Sequence, residues 1–144
     1  VPDYQAGASA AFAQGNLGKA MRYAKSEDFI ERKDHIISLL RHVEQMDLSE
    51  MLAVIKDLGT RKDEVRDYID LMVLWYRDVL LFKATKDINQ LLFQDEASYI
   101  SREASHRSYE KIEEILQAFE KAKVRLRANV NFDITMELML LTLK

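Results

Sequence analysis

Residues 71–82 read Leu-Met-Val-Leu-Trp-Tyr-Arg-Asp-Val-Leu-Leu-Phe, ten apolar or aromatic side chains around the adjacent pair Arg77 and Asp78. At 100° per residue these ten reach every face of a helix, so a single amphipathic contact cannot hide them all. Within the longer segment ending near Lys86, Val65, Ile69, Met72, Val73, Tyr76 and Leu80 form one clear stripe. The run is too short to cross a bilayer, and its two charges weigh further against that reading. It is expected to run through the middle of a helical domain or to be covered by another chain, and so much apolar surface favours cover shared with other chains.

The flanking pattern is helical as well. Tyr4 to Gln14 is alanine-rich, Gly15-Asn16 breaks it, and Asn16 is a candidate cap for a short helix ending near Lys25. Ser26 is a candidate cap for the next helix, where Phe29, Ile30, Ile36, Ile37, Leu40 and Val43 recur at helical spacing with Glu31, Arg32, Lys33 and Asp34 turned outward. Asp47-Leu-Ser-Glu50 is a capping-box pattern, and Gly59 closes the helix it starts. Thr60-Arg-Lys-Asp63 offers a cap for the long central helix. Residues 88–104 read as one or two short helices parted near Gln94-Asp95. Ser105 or Ser108 starts another long helix carrying Ile112, Ile115, Leu116, Phe119, Ala122, Val124 and Leu126. In the last segment Val130, Phe132, Ile134, Met136 and Leu138 alternate as in a strand, while Phe132, Met136, Met139, Leu140 and Leu143 fit a helix. Asn131 as a cap, and the lack of a partner strand, favour the helix.

Composition sharpens this. Four glycines and one proline in 144 residues leave few turns with special backbone angles, which favours long helices over a many-stranded sheet. The expected class is all-α. A net charge of −3 argues against general electrostatic attraction to nucleic acid or acidic membranes. The absence of cysteine excludes disulfides and thiolate metal sites and fits a reducing cytoplasm. The chain starts at Val1 with helical pattern almost at once, and is expected to be a piece of a longer protein.

Candidate chemistry is sparse. A di-metal carboxylate bundle needs two Glu-x-x-His spacings plus two further glutamates, and only Glu103-Ala-Ser-His106 occurs, at a helix break. His35 and His42 lie two turns apart, about 10 Å along a helix, too far for one zinc ion. No nucleophile elbow or phosphate loop is present. Arg77 and Asp78 sit about 100° apart on a helix, so each is expected to pair with something else. Lys121, Lys123, Arg125 and Arg127 spread over more than half a helix circumference near its C-terminal end, where positive charge is favoured anyway. They leave a nucleic-acid backbone contact open, without interleaved aromatics to stack bases.

Three segments together resemble the C-terminal part of the delta-prime subunit of the bacterial DNA polymerase III clamp loader. Trp75-Tyr-Arg-Asp-Val-Leu-Leu81 resembles the central helix of its collar domain. Asn129-Val-Asn131, Phe132 and the apolar run Met136–Leu143 resemble its closing helix. Gln14-Gly-Asn-Leu-Gly-Lys-Ala20 is similar to the final helix of the AAA+ lid. The resemblance implies lid-like helices over residues 1–25 and a helical collar over 26–144. That collar would join delta-like and gamma/tau-like subunits in a ring that loads the sliding clamp. DNA would be reached indirectly, with no membrane, cofactor, metal or small-molecule substrate. It implies a cytoplasmic, non-hydrolysing role, because ATPase members place a sensing arginine about where Gly18 stands here.

Trp75, Tyr76, Arg77, Asp78 and Leu81, with Phe132, Met136 and Leu140, are the candidates for core packing or for contact with other subunits, and no residue is assigned a catalytic role. The competing readings are the collar of an ATPase (gamma/tau-like) loader protein, a stand-alone bundle enzyme with a carboxylate-bridged metal pair, and a helical adaptor that binds peptides.

Overall fold

The computed structural model describes residues 27–144. The lid-like expectation for residues 1–25, Gly18 included, lies outside them. Six helices follow in order: α1 (Glu27–His42), α2 (Leu48–Gly59), α3 (Lys62–Thr85), α4 (Ala97–His106), α5 (Tyr109–Arg127) and α6 (Phe132–Leu143). Short 3-10 turns at Val43–Gln45, Ile88–Gln90 and Gln94–Glu96 join them, and there is no strand among the described residues.

Local chemistry sets most boundaries. The Asp47 carboxylate accepts from the Glu50 N–H at 2.8 Å, and the Glu50 side chain returns to the Asp47 N–H, so α2 opens on the capping box its sequence shows. Ser108 accepts from the Lys111 N–H at 3.1 Å to start α5, and Asn131 from the Ile134 N–H at 3.0 Å to start α6. The last segment is therefore a helix. Thr60 does not cap α3. Its hydroxyl donates back to the Asp57 carbonyl at 2.6 Å, closing α2, and α3 begins beyond Arg61 without a side-chain cap. Lys86 ends α3 in the left-handed conformation (φ 58°), its N–H on the Phe82 carbonyl at 2.8 Å.

α3 is the axle. α1, α4 and α5 pack around it, α6 lies along α5, and α2 leans mainly on α6. Leu71–Tyr76, Val79 and Phe82 are all buried, leaving Arg77 outward in the middle of the run. The chain thus covers its apolar rod with its own helices, against the expectation that other chains must share that cover. What the sequence concealed is the strap of residues 86–96, which lays Leu91 and Phe93 (3% and 2% exposed) over the rod. Lys33, expected outward, is 5% exposed and reaches Asp95 on this strap at 3.1 Å.

Candidate functional site

Trp75 lies in the core, its ring tilted 6.0 Å from that of Phe93, with the indole N–H buried and without a partner. It also lines a cleft of about 350 Å³ between α1 and α4, bordered by Arg41, Tyr99, Arg102 and Glu103. Tyr76 is buried against Phe119, its hydroxyl 3.5 Å from Glu103. Burial, reinforced by the Glu103 carboxylate, raises that phenol above its ordinary range. Leu81 is half-buried, Met136 and Leu140 are fully buried, and Phe132 is partly buried with the Lys62 ammonium 5.0 Å above its ring.

The adjacent pair does two different things. Arg77 faces outward into a groove between α3 and α5 with Glu113, Glu120 and Lys121. Asp78 is 2% exposed and pairs with no cation among the described residues. It accepts from the backbone N–H groups of Leu92 at 3.1 Å and Phe93 at 2.8 Å, tying the strap to the axle. Burial pushes its carboxyl above the usual value, partly offset by those two N–H donors.

A second tie is only partly legible in the sequence. Arg107, 5% exposed, donates through Nε to Glu103 at 2.7 Å and through Nη2 to Glu44 at 2.7 Å and the Leu143 carbonyl at 2.5 Å. One guanidinium thereby joins α4, the turn after α1 and the last carbonyls of α6, where a cation also meets the negative end of the helix dipole. The i,i+4 spacing of Glu103 and Arg107 is readable in sequence, but Glu44 and Leu143 lie 63 and 36 positions away and no spacing reveals them. Glu103 and His106 serve this cluster, His106 lying 3.4 Å from Glu44. His42 faces the Ser38 carbonyl at 2.7 Å, and His35 lies 4.0 Å from Asp57. Among the described residues no group of three His, Asp or Glu side chains is gathered to hold a metal ion, and no helix is long and apolar enough to cross a membrane.

The surface most unlike that of a solitary domain is on the neighbouring helices α6 and α2. Ile134, Leu138 and Leu141, at successive turns of α6, are 55%, 45% and 47% exposed. They stand directly opposite the row Met136, Met139, Leu140 and Leu143 that α6 buries. On α2, Leu48 and Leu52 are 58% and 48% exposed, on the row leading to Gly59, which lies beside Phe132 at the foot of α6. Five aliphatic side chains are thus left about half exposed on two packed helices. Of the residues the sequence offered for core packing or subunit contact on this helix, Met136 and Leu140 face inward and Phe132 is partly buried. The outward set had its own signal in the apolar character of α6 on nearly every face.

The family model for the C-terminal part of the DNA polymerase III delta subunit matches residues 26–144, a span that takes in all six helices. No curated protein and no solved structure matches the chain.

Proposed function

Because the chain belongs to the family of C-terminal domains of the DNA polymerase III delta subunit, we propose that it is the collar-like assembly module of a delta-prime-like clamp-loader protein. It acts in the cytoplasm and holds its parent beside delta-like and gamma/tau-like neighbours, and it performs no catalysis itself. A clamp-loader assembly role follows from the family; the delta-prime assignment rests on the resemblance of the Trp75 and Asn129–Leu143 segments and on Gly18, which favours a non-hydrolysing member over an ATPase one.

The observation that carries an assembly role is the aliphatic face of Ile134, Leu138 and Leu141. The buried row of α6 packs without it, and these side chains keep about half their surface in water. Covering them by a neighbour would recover roughly 25 cal/mol for each Å² of apolar surface removed from water.

The test is reconstitution. The chain is mixed with delta-like and gamma/tau-like subunits and followed by sedimentation, beside Leu138→Asp and Ile134→Asp variants. The expected result is a monomer or weak oligomer alone, a stable complex when mixed, and loss of that complex in the variants with helicity unchanged. A tight homodimer, or a mixed complex indifferent to both substitutions, would overturn the reading.

A further inference from the structure

We propose that the groove where the start of α3 passes the end of α5 binds the phosphodiester backbone of single-stranded nucleic acid. The groove holds about 530 Å³. Two cations line it from each side: Lys62 and Arg66 from α3, Lys123 and Arg127 from α5. Each pair is spaced i,i+4, which sets its side chains one above the other, ~6 Å apart between Cβ atoms. The groove therefore carries two short ladders of positive charge facing each other, in a chain whose net charge is −3.

Three of the four cations have no carboxylate partner among the described residues, with Lys62 resting over the Phe132 ring. Lys123 is paired with Asp70 at 2.9 Å and Glu120 at 3.6 Å. Lys62, Arg66 and Arg127 are exposed and form no ion pair among the described residues, and Asp63 is the one carboxylate in the lining.

The occupant follows from the shape of this charge. A flexible strand presents successive phosphates that can enter a concave groove, whereas a duplex presents a stiff convex surface. Arg66 and Arg127 suit phosphate, which a guanidinium meets with two parallel N–H donors. Phe132 is covered on one face by Lys62, so base stacking adds little and binding should not depend on sequence. Sequence alone grouped Lys123 and Arg127 with Lys121 and Arg125, but helical spacing divides that cluster. Lys121 and Arg125 line a different groove, with Glu114, between α5 and α6.

The test is anisotropy of a labelled oligothymidylate at graded salt. Three cations without a carboxylate partner give an expected slope of log affinity against log salt of about −2 for a single strand, roughly a 20-fold loss between 50 and 200 mM. The triple variant Lys62→Glu, Arg66→Glu, Arg127→Glu should lose at least tenfold in affinity at 50 mM. The control triple Lys56→Glu, Lys86→Glu, Arg102→Glu changes net charge equally and should lose less than threefold. The single variant Arg66→Glu should flatten the salt slope by about 0.7 and guards against any folding defect in the triples. Absence of binding at 50 mM, equal losses in both triples, or stronger competition by a polyglutamate peptide than by unlabelled strand would each overturn the proposal, the last in favour of an acidic protein partner.

Discussion

Replacing Asp78 by alanine tests how the strap of residues 86–96 is held on the axle. The substitution strands two backbone N–H groups. That of Phe93 is in the buried core and has no water to turn to, while Leu92 is half-buried and can be partly rehydrated. A buried donor left unsatisfied costs about 1–3 kcal/mol, and the second, semi-exposed one less. Against this stands relief of burying a carboxylate, the term that already raises the Asp78 pKa. The net expectation for Asp78→Ala is a loss of about 2–3 kcal/mol at neutral pH.

Trp75, the sole tryptophan, lies 6.0 Å from Phe93 of the strap, so its fluorescence in a urea titration reads global stability and local strap opening together. The pH dependence has a definite sign. Because the folded carboxyl holds its proton to higher pH than the unfolded one, the contribution of Asp78 is full below the ordinary carboxylate value. Only this proton-linked part is lost as pH rises through the raised folded value, and the two N–H bonds remain as what Asp78→Ala removes at neutral pH. Asp78→Asn should abolish that part of the slope while keeping one of the two N–H bonds. A loss under 0.5 kcal/mol for Asp78→Ala, with unchanged tryptophan emission, would show that burial of Leu91 and Phe93 alone fixes the strap.

Other substitutions probe the remaining ties. Trp75→Ala should cost about 3–5 kcal/mol by chemical denaturation, since the indole is 2% exposed and fills the junction of α1, α3 and α4. Arg107→Ala should cost about 1–3 kcal/mol, because Glu103 and Glu44 lose their cation but keep some access to water, and should speed amide exchange in the last turn of α6. Thr135→Val should gain about 1 kcal/mol, read as a rise in melting temperature, because the Thr135 hydroxyl is fully buried without a partner.

What was legible in the sequence was local. The all-α class, the Asp47–Glu50 box, the Asn131 cap and the stripe of α3 all depend on residues within a few positions of one another, and the helices stand where that chemistry puts them. Thr60 misled because a threonine hydroxyl can close the helix behind it as readily as open the one ahead. The covering of residues 71–82 was misjudged because a helical wheel counts the faces that need burial, not the neighbours available to bury them. Leu91-Leu92-Phe93, with no helical period of its own, was the available hint of a strap. On the surface, periodicity placed Met136 and Leu140 on a helix without saying which side faces in, and Ile134, Leu138 and Leu141 became visible only once α5 and α2 fixed that side. The groove cations could not be grouped before α3 and α5 were seen side by side.

The dependence of α2 on α6 also bears on how the chain folds. Lys144 donates to the Met46 carbonyl across 98 positions, and α2 finds its main cover in α6. Closing so long a loop is slow, so Met51, Ile55 and Leu58 stay wet until the distant helix has docked.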